Sequence, residues 1–522
     1  MKPILAWAAL LLLAAGSARA GQVLHRPNEA EPGSLDPQRM TAGPTVATSR
    51  DLFEGLIALD HAGKPVPGDA ESWDISPDGL TWTFHLRHGL QWSNGDPLTS
   101  ADYLYSFRRL VDPATAADDP SDLKQVVNYE AIISGKEKDL TKLGVEAPDP
   151  YTLRLHLIEP RLALKFLLTD PQVYPLHRAT IEKWGKDWTQ PGHMVSNGPY
   201  VLTSWIPQTD IIVKKNERFY DASSVAIDEV HWIGAEDMDA ALRRFRAGEL
   251  DWMDCLKTNV AICKSDLADQ FHTAPINSVG LLVINMTKGP LSKDIRLREA
   301  LNLSVDRVTL LDKVVRLNQL PAYSLVPPVI SDYTPPTMSF KDMPMAERIA
   351  KARQLMEAAG YGPANPLKIT VSYPSRESTR QSLLAIIAMW HQIYVDAAMD
   401  NMEFQVYESR LNSKDYEIGM MAALGSYDDF ENVLDNYRSD AGAFNWTGYN
   451  NPKFDDLFHR GGTSLDMSER RKLMEEAEAV VLNDYITVPL DFDVRNRVVS
   501  PKLQNFDMGV LYPQSRYLSF AE

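Results

Sequence analysis

Two cysteines, Cys255 and Cys263, lie eight residues apart in the segment DWMDCLKTNVAIC and are the only cysteines in 522 residues. Thiols at that spacing can close a small disulfide loop, share a metal, or stay reduced. Zinc normally takes four ligands, and His272 is the one histidine nearby. A local disulfide is therefore the expected state if the chain reaches an oxidising compartment, with free thiols the alternative. His85 and His88 are three apart, but His85 falls in a strand-like stretch where positions i and i+3 face opposite sides, which argues against shared metal ligation. The adjacent acids Asp428 and Asp429 could form a carboxylate site, or be solvated loop acids at a helix start. No GxSxG elbow, HExxH, Walker loop or dinucleotide fingerprint occurs. No catalytic residue, metal or cofactor is expected, and the chain does not read as an enzyme.

The remaining features describe the setting in which the chain works. Lys2, the apolar run Ile4 to Ala15 and Ala18-Arg19-Ala20 form a leader with a small-residue cleavage pattern before Gly21. Residues 1–20 are thus expected to direct export and to be removed. The formal net charge is −17, and it becomes −19 once Lys2 and Arg19 leave with the leader. That balance argues against a nucleic-acid partner. A mature chain of this length exceeds one hydrophobic core, so two or three domains are expected.

Strand-like and helical patterns alternate, which predicts an α/β protein. LTWTFHLR (80–87) and YTLRLHL (151–157) alternate as half-buried strands do, and Thr99 is placed to cap a helix over SADYLYSFRRL with Asp102 in its first turn. AERIAKARQLMEAAG reads as a helix ending at Gly360, followed by the strand LKITVSY (367–373). Further helices are expected over 378–397 and 468–483. The sequons at Asn285, Asn302 and Asn445 read as ordinary polar positions in a bacterial protein.

In order along the chain come SLDP (34–37), RDLFEGL (50–56), WTFHLRHGLQWSNGDPLTSADYLYSFRRL (82–110), SNGPYVL (196–202), KDIRLREALNLSVDR (293–307), LPAYSLVPP (320–328) and NWTGYNNPKFDDL (445–457). With these blocks the chain resembles the periplasmic oligopeptide-binding receptors of ABC importers, the family 5 extracellular solute-binding proteins. The resemblance implies a three-domain, type II-like periplasmic binding fold whose two lobes close on a ligand. Domain I would comprise 21–56, 194–278 and 490–522, the extra domain II 57–193, and domain III 279–489. It also implies a monomeric periplasmic protein that takes a peptide or small-molecule ligand to an inner-membrane permease. A sensor or chaperone-like binder on the same fold is the alternative.

Members commonly hold the ligand as an added strand and grip its N-terminal ammonium with a carboxylate in a Gly-Trp-x-x-Asp-Tyr stretch. Here the matching stretch is YEIGMMAALGSYDDF (416–430), which puts Ser426 at the acidic position, Ala423 at the tryptophan and Met420 at an arginine. Thr41 replaces an acid after the SLDP turn, a tyrosine-rich strand becomes GLLVIN (280–285), and clustered tyrosines near the end become Asp491-Phe492-Asp493; Phe404 keeps its aromatic character. By resemblance the ligand would meet Thr41 and Gly43, then Leu281, Phe404 and Met420. It would also meet Ala422, Ala423, Leu424, Ser426, Tyr427 and Asp428, and finally Asp491 and Asp493. With both zwitterion grips lost, ordinary short peptides are expected to bind weakly. A modified peptide, a sugar-phosphate or opine conjugate, or a cationic compound would fit instead.

Overall fold

The computed structural model describes residues 21–39, 43–256, 259–425 and 427–521. The leader, Thr41 and Ser426 lie outside the described residues. Strand Thr81–Leu86 shows the expected alternation, burying Trp82, Phe84 and Leu86 and leaving the intervening positions half-buried. It pairs antiparallel with Ala70–Ile75 and Thr152–His156, and Val145–Asp149 completes a four-stranded sheet. Helix Ser100–Val111 adds Tyr103 and Phe107 to this core, and the Asp102 carboxylate accepts the Thr99 backbone N–H at 2.8 Å to fix the helix start.

A second core gathers Leu24, Phe53, Tyr200, Trp232, Trp252 and Leu518 from three separate stretches of chain. Its sheet orders Val23–Asn28, Glu229–Gly234, Asp210–Lys215 and Tyr200–Ile206. Tyr174, Leu176 and Trp188 also pack here, although the sequence put residues 57–193 in the extra domain. The reason is aromatic packing: the Trp188 ring meets Phe53 edge-on with centroids 6.3 Å apart.

The largest core spans 279–492. It is organised by a seven-stranded sheet running Trp252–Asp254, Thr487–Val499, Phe271–Ile284, Ile418–Leu424, Leu367–Pro374 and Val395–Met402, with Leu320–Pro321 paired onto Thr487–Val499. The long strands Phe271–Ile284 and Thr487–Val499 join this core to the second. They pair from Phe271 opposite Val498 to Pro275 opposite Val494, lose register, and resume at Val279 opposite Phe492. An irregularity of this kind bends a strand and ends regular pairing locally.

Helix Met345–Ala358 ends as expected: Gly360 takes φ +91° and the Tyr361 N–H reaches the Met356 carbonyl at 2.9 Å. The helix expected over 378–397 is shorter, Glu377–His391, and the chain reverses through Tyr394 at φ +67°. Val395–Met402 is instead a strand parallel to Leu367–Pro374, because tertiary pairing overrides the helical tendency of its alanines and methionines. Helix Met467–Asp484 covers the last expected helix. Cys255 and Cys263 are joined in a disulfide with Cα atoms 6.5 Å apart, tying the strand Trp252–Asp254 to helix Asn259–Asp266. His85 bonds Asp74 at 2.8 Å while the His88 ring lies against Tyr151, so the two imidazoles have separate partners. Asn285, Asn302 and Asn445 are buried, and each carboxamide donates to backbone carbonyls.

Candidate functional site

Partners across an antiparallel ladder point to the same face of the sheet. Ser278 is opposite Leu424, Gly280 opposite Ala422, and Leu282 opposite Met420; the alternate pairs are Val279 with Ala423 and Leu281 with Met421. Val279, Leu281 and Ala423 are buried in the large core, whereas Leu424 is 53% exposed. One face of the sheet is therefore core; on the other, Ser278 and Gly280 are buried too, and the face opens only at Ala422 and Leu424.

Leu424 lies at the edge of a cleft of about 560 Å³. The second core contributes Gly43, Arg50, Leu59 and the segment Val510–Tyr512, and the bent strand contributes Ile276 and Asn277. The large core adds Ile330, Ser331, Leu424, Tyr427 and Asp428. The walls are mostly apolar, with a few polar groups at fixed positions, as solute sites commonly are. Gly425 donates its N–H to the Asn277 carbonyl and the Asn277 carboxamide donates to the Tyr427 carbonyl, both at 2.8 Å. A side chain at Gly425 would collide with that carboxamide, and one at Gly43 with the Tyr512 hydroxyl. The Asp428 carboxylate accepts the Ser331 N–H at 2.9 Å, and burial pushes the Asp170 carboxyl at the cleft wall above its ordinary range.

Asp491 is opposite Gly280 and so shares its face, and Asp493, two residues on, shares it too. Gln319 Nε2 donates to Asp491 at 2.6 Å and to Asp493 at 2.8 Å, and the Ser278 hydroxyl donates to Asp493 at 2.6 Å. A Cβ at Gly280 would stand 2.6 Å from Asp491 Oδ1, so the absent side chain is what makes room for the carboxyl. Burial, and then the neighbouring charge of Asp493, push Asp491 up to about 8.

Of the residues expected at the site, Gly43, Leu424, Tyr427 and Asp428 line the cleft. Ala422, Asp491 and Asp493 are on the adjoining Gly280 face. Leu281 and Ala423 correct the expectation: strand alternation turns both into the core. Met420 is half-buried against that core, its carbonyl accepting the Tyr407 hydroxyl. Phe404 is exposed at the start of helix Phe404–Asn412 with the Arg376 guanidinium over its ring, away from the cleft lining. The acidic pair also divides. Asp428 faces the cleft, while Asp429 is buried in a bidentate ion pair with Arg470, both bonds 2.8 Å. Sequence reasoning missed Arg50, Asn277, Gln319, Ser331 and Tyr512: helix Gly43–Leu52 brings in Arg50, the strand break Asn277, and loops the other three. Among the described residues no group of three or more His, Cys, Asp or Glu is arranged to hold a metal, and no helix is long and apolar enough to cross a membrane.

The sequence profile described as "Bacterial extracellular solute-binding proteins, family 5 Middle" matches residues 64–445. The chain belongs to this family. It is 31% identical to the periplasmic murein peptide-binding protein MppA of Escherichia coli over 95% of this chain and 93% of that one. It is 30% identical to the probable deoxycholate-binding periplasmic protein YgiS of the same organism, over 93% and 91%. The solved unliganded open form of MppA superposes with a TM-score of 0.86 at 30% identity, covering 96% of this chain and 97% of that one. Haemophilus influenzae OppA in complex with the peptide RPPGFSPFR superposes with 0.76 at 32% identity, covering 96% and 99%. The α/β fold is thus that of the family 5 periplasmic binding proteins.

Proposed function

We propose that this protein is the periplasmic receptor of an ABC importer, closing two lobes on a small peptide or peptide-like solute whose amino group enters the acidic pocket of Asp491 and Asp493. One lobe is built on 21–56, 194–278 and 490–522, the other on 279–489, with 57–193 beside them. The strand break between Pro275 and Val279 is the flexible point, since hinges are commonly a few residues at element irregularities. The leader and the periplasmic relatives support export, and the inner-membrane permease is the partner that receives the solute. The protein binds without chemical turnover and acts as a monomer.

The observation that carries the ligand class is the Asp491–Gln319–Asp493 bridge on the Gly280 face of the sheet beside the cleft. The family carboxylate is replaced by Ser426, yet two carboxylates stand on the same sheet, ready for an ammonium. Free peptides therefore regain a partner for one charged end, in place of the weak binding expected from the loss at 426. The apolar walls and the likeness to YgiS favour a second reading, a bile-acid-like amphipath. The acidic pocket weighs against it, because an anionic head beside two carboxyls is repelled. Native mass spectrometry of the protein purified without denaturation tests the proposal. A retained cargo that gains mass with an amine-modifying reagent supports it, and a cargo without a reactive amine contradicts it.

A further inference from the structure

The extra domain touches the large core through a contact next to the cleft. Arg161 Nη2 lies 2.8 Å from Glu431 Oε1, with side chains 6% and 1% exposed. Glu431 is held from its other oxygen by Arg470, also at 2.8 Å, and Arg470 in turn clamps Asp429. The Phe166 ring stacks on Tyr427 with centroids 5.7 Å apart, and Lys124 is 3.5 Å from Asp435. Arg161, Phe166 and Lys124 come from the extra domain's side. Their partners form one continuous segment, 427–435, whose first residues line the cleft.

The arrangement that carries this contact fits an unliganded open form better than a peptide complex. Coverage of the chain is the same and identity nearly so in the two superpositions, yet the unliganded open form fits at 0.86 and the peptide complex at 0.76. A second MppA structure, at the same identity and coverage of this chain, fits at 0.78, so the unliganded open form is the better match within one protein as well.

We propose that the Arg161–Glu431 ion pair, with the Phe166–Tyr427 stack, is a latch that holds the empty receptor open. A buried ion pair can break even against desolvation, so the sign must be argued. Arg161 faces Glu431 directly and has Asp435 and Glu159 nearby, and these acids hold its guanidinium above the ordinary arginine range despite burial. Three acids thus gather round one buried guanidinium. The pair is held by charge, since Glu431 Oε1 accepts no hydrogen bond from Arg161. When the latch opens, Glu431 keeps Arg470 and Arg161 gains water. A solute pressing on Tyr427 and Asp428 moves the segment that carries the latch, so capture and release of the latch are coupled. The inference rests on the two-lobe reading but not on the identity of the solute.

The test is small-angle scattering of the unliganded protein. Arg161→Met removes the charge and keeps the bulk, and Glu431→Gln keeps the shape should the first variant fold poorly. Each is checked for an unchanged circular dichroism spectrum. A smaller radius of gyration than wild type, without ligand, is expected, because the closed population grows. For trialanine as probe, an affinity up to about tenfold tighter follows if the latch costs the closed state that factor in population. An unchanged radius, or a larger one, overturns the latch. Failure of wild type to bind trialanine bears on the ligand reading alone, since the scattering comparison uses no ligand.

Discussion

Gln319 Nε2 stands 2.6 Å from Asp491 and 2.8 Å from Asp493, so one carboxamide bridges two carboxyls that share the Gly280 face of the sheet. Two carboxylates this close cannot both ionise freely in a buried setting, and burial together with the Asp493 charge pushes Asp491 up to about 8, so that it holds a proton at neutral pH. An ammonium brings the positive charge that this proton supplies, and displaces it.

Affinity for a peptide should therefore be bell-shaped in pH, centred near 8. On the acid side binding must expel the Asp491 proton; on the alkaline side the peptide amine, with a pKa of about 8, loses its own. Calorimetry across this range should show proton release near neutral pH, and Asp491→Asn should remove the acid limb while weakening binding throughout.

Stability should move the opposite way. Burial raises Asp491 to about 8 and Glu478 to about 7, the latter despite bonds from Tyr333 and the N–H groups of Leu325 and Val326. The folded state then holds more protons than the unfolded one. The contribution of these groups is fully present below the unfolded carboxylate pKa of about 4 and is lost as pH rises to about 8. Thermal melts of the empty protein should show Tm falling over that interval, with a smaller fall for Asp491→Asn.

Gly280→Ala should disable the pocket. The added methyl carbon would lie 2.6 Å from Asp491 Oδ1, which forces the carboxyl or the strand to shift. Overpacking of this size costs about 1–3 kcal/mol, and peptide affinity should fall by a comparable free energy. Denaturant titration and calorimetry on the same variant check both.

Arg470→Leu should be the most destabilising of these changes. Its guanidinium is 1% exposed and neutralises Asp429 and Glu431 together. Stranding Asp429, with Glu431 left to Arg161 alone, costs about 3–5 kcal/mol, read as a lower denaturant midpoint. Replacing both Cys255 and Cys263 by serine should cost less, about 2.5 kcal/mol for so short a loop.

The sequence made the fold legible where local rules and tertiary packing agree. Thr99 and Asp102 capped the helix they were expected to cap, and Gly360 ended its helix. The helix expected to 397 ran into the first three residues of strand Val395–Met402, because alanine suits a helix until Leu367–Pro374 offers a strand to pair with. At the site, residues 418–424 were recognisable as a segment, yet face could not be assigned. Both faces of Val279–Ile284 are buried, so hydrophobic alternation is silent and Leu281 and Ala423 read as pocket residues when they are core. Gln319 and Tyr512 came from distant loops with no motif. Asp491 and Asp493 were legible only through the resemblance, as acids where the family carries clustered tyrosines.

Calorimetry at pH 7.5 with trialanine and N-acetyl-trialanine, on wild type and on Asp491→Asn/Asp493→Asn, tests the central claim most directly. Measurable trialanine binding is expected, weakened at least about thirtyfold by acetylation, since loss of a buried charge partner costs about 2–5 kcal/mol. The double variant should bind both compounds equally weakly. Equal affinity of the wild type for the free and acetylated peptides would contradict an ammonium held by Asp491 and Asp493.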